Sequence, residues 1–151
     1  GPLLNGNTTI VYEGKPVHRM TERELTEHGR KEVLRSAAHL IGQPLTAIYA
    51  SPYLRAQQTA QIVREALGFE PEIRTVEWLT PESDPDKVAE QLVSVSNVLL
   101  VSHNPLVGDL LSYLQHGAGH PPEKVSTAGL AELEHSELLI GSMKLNSLKH
   151  P

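Results

Sequence analysis

A chain of 151 residues fits one domain with a substantial core, and 39% hydrophobic residues with only 4% aromatics point to an aliphatic interior. The formal charge of −5 argues against nucleic acid or an anionic membrane as the main partner, because both reward a basic surface. The lack of cysteine excludes disulfides, thiolate catalysis and cysteine-based zinc sites, and suits a reducing, cytoplasmic compartment.

No apolar run approaches the roughly eighteen residues of a membrane span. The start, residues 1–7, has no charged stretch followed by an apolar core and reads as a flexible segment, with Gly1-Pro2 resembling a protease-cleavage scar. Residues 8–149 are expected to form the single domain. Its first element is a strand over Thr8–Tyr12, rich in β-branched residues, followed by a polar loop through Gly14, Lys15 and Pro16. Thr26 reads as the N-cap of a helix to about Ile41, with Val33, Leu34, Ala37, Ala38 and Ile41 at helical spacing and Gly42 with Pro44 ending it.

A short buried strand follows over Thr46–Ala50, then a helix over Leu54–Leu67 with Ala56, Ala60, Val63 and Leu67 on one face and Gly68 as its stop. Next come a strand near Ile73–Val76, a turn-rich segment at 80–85, a helix over Asp86–Val93, and the apolar strand Val98–Val101. Pro105 opens a helix ending near Gln115, residues 117–122 form a surface loop, and Ala128–Leu133 and Met143–Leu148 read as two last strands. Repeated strand-helix-strand units predict an α/β fold, a single-domain three-layer α/β/α sandwich on a mostly parallel sheet, with ligands at the carboxyl ends of the strands.

Two cationic residues fall at such ends. Arg55 opens a helix just after the 46–50 strand, where free backbone amides and the helix dipole favour an anion, and its guanidinium adds a fork of donors. Ser51 can add a hydroxyl, and Gln58 lies one turn on. His103 follows four apolar strand residues and precedes Asn104-Pro105. Alone it suits a satisfied buried histidine as well as a functional one; paired with Arg55 it suits a dianionic phosphoryl group. His28, in a first helical turn, is expected to be exposed. His39 has the spacing of a half-buried helix residue, and His116, His120, His135 and His150 lack metal-ligand spacing. No metal site or cofactor is expected.

Four segments together resemble the histidine phosphatase superfamily, within it the small SixA-type phosphohistidine phosphatases. They are Leu-Thr-Glu-His-Gly at 25–29, Tyr-Ala-Ser-Pro-Tyr-Leu-Arg-Ala-Gln-Gln-Thr-Ala at 49–60, Trp-Leu-Thr-Pro at 78–81 and Val-Ser-His-Asn-Pro-Leu-Val-Gly at 101–108. The resemblance covers Leu25 to about Gly117 and implies the phosphoglycerate mutase-like fold. It also implies metal-free phosphoryl transfer to a histidine nucleophile, then hydrolysis of that phosphohistidine. By resemblance, Arg55 binds phosphate, His103 donates to the phosphoryl oxygens as charge builds, and Ser51 and Asn104 assist. The implied partner is a phosphohistidine-bearing protein, such as a histidine phosphotransfer domain.

The family's Arg-His-Gly triplet at the end of the first strand is missing. With Gly14 aligned to its glycine, Tyr12 stands in place of the arginine and Glu13 in place of the nucleophilic histidine. A carboxylate there repels phosphate, and a neutral phenol does not replace a bidentate cation. His18-Arg19 offers the right residue types in reversed order, but on a loop. Glu77 and Glu82 are the nearby carboxylic acids for protonating a leaving group, which phosphohistidine needs less than an ester does. The expectation is therefore an impaired phosphohistidine phosphatase, with a non-catalytic phosphate-binding module and a phosphatase of small esters as alternatives.

Overall fold

The structure, a computed structural model, describes residues 7–14, 26–125, 129–135 and 140–149. Strand β1 (Asn7–Gly14) starts one residue before the expected Thr8 and runs through Gly14, which the sequence suggested for the loop. Helix α1 (Glu27–Ala38) is capped as expected: the Thr26 hydroxyl oxygen accepts from the Gly29 amide at 3.0 Å. It ends before Ile41, which is 70% exposed, and Leu34 is also exposed. The buried stripe is Val33, Ala37 and Leu40, so the helix turns a slightly different face inward than the apolar pattern suggested.

Strand β2 (Ala47–Ala50) is wholly buried, and helix α2 (Leu54–Leu67) matches its expected bounds, closing on Gly68 at a φ of 64°. Strand β3 (Arg74–Thr75) is only two residues long, and a 3-10 turn follows at Glu77–Leu79. Helix α3 (Pro85–Leu92) leads to strand β4 (Val98–His103), which extends two residues beyond the expected Val101 and buries all six of its residues. His103 is thus the last residue of the strand, not the first after it. Helix α4 (Leu106–His116) begins after Pro105, and strands β5 (Leu130–His135) and β6 (Lys144–Lys149) complete the chain. Ala128, placed in the fifth strand by the sequence, lies outside the described residues.

The strand order is β3-β2-β4-β1-β5-β6. β3, β2, β4 and β1 are mutually parallel, and β5 and β6 add antiparallel strands at one side. Alternate residues divide the core in two. Ala47, Tyr49, Val98, Leu100, Ala131 and Leu133 pack under α3 and α4. Ile48, Ala50, Leu99, Val101 and Leu130 pack against α1 and α2 on the other face. This is the expected three-layer α/β/α sandwich, and a central strand buried on both faces explains why 98–101 reads as an unbroken apolar run. Each fully buried leucine of β4 contributes about 1.5–3 kcal/mol.

Candidate active site

The parallel strands place the ends of β1, β2 and β4 at one edge of the sheet. Ser51 leaves β2 there, its amide donating to the Val101 carbonyl at 3.0 Å, which ties the start of the α2 loop to β4. The fully buried Ser51 hydroxyl accepts from the Tyr53 amide at 3.3 Å, forming the tight turn that sends the chain into α2. Gln57 braces this turn, donating to the Ser51 carbonyl at 2.8 Å and to the Thr75 hydroxyl at 3.0 Å. The turn puts Arg55 in the first turn of α2 and inside the protein, 5% exposed. A charged residue is rarely so buried unless it is paired.

His103 is 2% exposed, and among the described residues its Nε2 has no hydrogen-bond partner. Burial, and secondarily the charge of Arg55, lower its pKa to about 4, so the ring is neutral near pH 7. A buried, unsatisfied ring nitrogen within the field of a buried guanidinium is arranged to meet an anion, which would satisfy the ring nitrogen. The Tyr53 ring lies against His103, with centroids 5.2 Å apart, and its hydroxyl donates to Glu82 Oε1 at 3.4 Å. Burial first, then Glu82, raise the Tyr53 pKa above its usual 10, which keeps the phenol protonated as a donor.

Two further contacts fix the edge. The buried Ser102 hydroxyl donates to the Leu79 carbonyl at 2.6 Å and fastens the 77–79 turn beside His103. Asn104 serves the backbone: its Nδ2 donates to the Val125 carbonyl at 3.2 Å and its Oδ1 accepts from the Gly108 amide at 3.1 Å. Its amide therefore holds the start of α4 against the returning chain, beside His103. The β1 register sets Gly14 beside His103 and Glu13 beside Ser102, so the position expected to carry the nucleophile does border this edge. His18 and Arg19 lie outside the described residues.

The structure brings the sequence candidates Arg55, His103 and Ser51 to one edge and adds Tyr53 and Ser102 as neighbours that the sequence reading did not single out. Ser102 carried a signal, a hydroxyl inside an otherwise apolar strand. Of the two glutamates, Glu82 is the one linked to His103 through Tyr53. His28 is exposed and 3.8 Å from Glu32 on its own helix. Among the described residues, no group of three or more histidine or acidic side chains could hold a metal ion, and no helix is long and apolar enough to cross a membrane.

Fold and site define a class: a three-layer α/β/α protein with a buried arginine and histidine at the carboxyl edge of its parallel strands. The model of the histidine phosphatase superfamily (branch 1) matches residues 6–79. This match includes β1, so family likeness reaches further toward the start than Leu25, where the motifs begin. The phosphohistidine phosphatase SixA of Escherichia coli is 33% identical over 122 residues, 76% of this chain and 74% of that protein. A SixA homolog of Haemophilus influenzae is 33% identical over 113 residues, 66% of this chain and 68% of its own. A solved structure of the protein histidine phosphatase SixA complexed with tungstate superposes with a TM-score of 0.81 at 27% identity, covering 95% of this chain and 97% of that one. The chain belongs to the histidine phosphatase superfamily and is of its SixA type.

Proposed function

We propose that this protein recognises phosphohistidine on a phosphorelay or phosphotransfer protein, and hydrolyses it far more slowly than a relative with a complete Arg-His-Gly triplet. One observation carries the reading: Arg55 and His103, both buried, share the edge at which β1 ends with Glu13 and Gly14. Arg55 supplies charge and paired donors to the phosphoryl oxygens, and His103 supplies a ring nitrogen that the fold leaves unsatisfied. Ser51 retains its hydroxyl proton for the same oxygens while its oxygen accepts from Tyr53. The relatives' activity, named as phosphohistidine phosphatase, and the tungstate bound by SixA, a tetrahedral oxyanion like phosphate, support this choice of ligand.

Slow turnover follows from Glu13. A carboxylate at the nucleophile's position repels the dianion and forms no phosphohistidine intermediate. The lack of cysteine fits a cytoplasmic setting. The test is the initial rate of phosphate release from a phosphohistidine-bearing protein by the natural chain and by Tyr12→Arg/Glu13→His. The double variant should gain at least about a hundredfold. Full turnover by the natural chain, abolished by His103→Ala, would place the nucleophile elsewhere and overturn the reading. Faster release from small phosphate esters than from the protein would point to a different substrate class.

A further inference from the structure

Tyr53 stands at the N-cap position of α2, yet its side chain makes no capping hydrogen bond. Helices favour serine, threonine, aspartate or asparagine there, because a short side chain ending in oxygen reaches the free amides of the first turn and a phenol does not. The Tyr53 side chain is engaged elsewhere: its ring lies against the His103 imidazole, with the two planes 43° apart.

Bonds at both ends fix that ring. The Tyr53 amide donates to the Ser51 hydroxyl, its carbonyl accepts from the Gln57 amide at 3.0 Å, and its phenol donates to Glu82. The ring thus spans from the turn before α2 to the segment after the 77–79 turn, which Ser102 fastens to β4. His103 is buried, Tyr53 is half-buried and Glu82 is exposed, so exposure rises outward along this chain of contacts.

Charged groups approach from α2, where Arg55 acts on His103, from β1, where Glu13 pairs in register with Ser102, and from the 77–82 segment, whose Glu82 and Glu77 act on Tyr53. The leading cause of the low His103 pKa is burial, ahead of the Arg55 charge. A neighbour that excludes water therefore matters more to this imidazole than one that carries charge.

We propose that Tyr53 is a positioning residue: its ring is the outer wall that keeps His103 dry and aims the unpartnered Nε2 at a bound oxyanion, while Glu82 steadies that wall from outside. Tyr53 acts through His103 and not on the oxyanion itself. The proposal rests on the reading of this edge as an oxyanion site and on no particular substrate.

The experiment compares the full natural chain with Tyr53→Ser and Tyr53→Phe. Serine removes the ring but caps a helix well, so the fold is expected to stand, and asparagine, another good cap, takes its place if serine does not fold. Phenylalanine keeps the ring. The His103 ring signals, identified by their loss in His103→Gln, are followed by NMR from about pH 8 to 4.5, and tungstate affinity is measured at about pH 7.5. Natural His103 should stay largely neutral across that range. In Tyr53→Ser its proton affinity should rise at least about tenfold and tungstate affinity should fall about fivefold, and Tyr53→Phe should restore both. An unchanged His103 titration or unchanged tungstate affinity in Tyr53→Ser, or a Tyr53→Phe chain that behaves like it, would overturn the proposal, while tungstate binding by the natural chain leaves the oxyanion reading standing. No tungstate binding by the natural chain would remove that reading and the proposal with it.

Discussion

At the scale of single residues, the neutral state of His103 is the property from which most follows. Its pKa is about 4 in the folded protein, against 6.5 for an ordinary histidine. As pH falls below 6.5 the unfolded chain takes up this proton first, so stability drops between about pH 6.5 and 4 and is insensitive to this group above that window. Urea unfolding at pH 7.5 and 4.5 should show a loss in the natural chain that is smaller by about 2 kcal/mol in His103→Gln. Ser102→Ala removes the buried bond to the Leu79 carbonyl, and its expected cost of about 1–3 kcal/mol is readable in the same assay. Arg55 and His103 were legible in the sequence because each stands where an apolar strand gives way to a helix. Ser102 and Tyr53 were not, because what defines them is a partner distant along the chain, Leu79 for one and His103 for the other. The backbone partners of Asn104, Val125 and Gly108, were hidden for the same reason.

At the scale of elements, the tightest junction is where α4 meets the chain returning after it. The Glu123 amide donates to the Gly108 carbonyl at 3.0 Å, and a side-chain carbon at Gly108 would come within 2.6 Å of the Glu123 carbonyl oxygen. That oxygen is backbone and the added carbon is fixed directly to the Gly108 backbone, so neither can swing aside. Gly108→Ala should therefore lower stability by about 1–3 kcal/mol through overpacking, although alanine ordinarily favours a helix interior by about 1 kcal/mol over glycine. A lowered midpoint of thermal unfolding checks this. The same contact shows why helix existence was easier to read than helix limits. Thr26 and Gly68 announce their ends chemically, whereas α1 stops at Ala38 while apolar residues continue to Ile41 in turns.

At the scale of the whole molecule, the alternation of strands and helices was enough to give the layers, since continuous apolar runs demand cover on both faces. The strand order was not legible, because it depends on where each crossover returns, and no local pattern records that. β1 lies between β4 and β5, with Thr9 beside Val98 and Thr8 beside Glu134. The strand synthesised first thus waits for neighbours synthesised late, and closing such long loops is the slow part of folding. Until it closes, a chain can carry α1, β2 and α2 with Arg55 in place and still lack the edge where Gly14 meets His103. Oxyanion capture then becomes a clock for the last step of assembly: in refolding, helical signal should recover ahead of tungstate binding, and simultaneous recovery would mean that β1 docks with the first collapse.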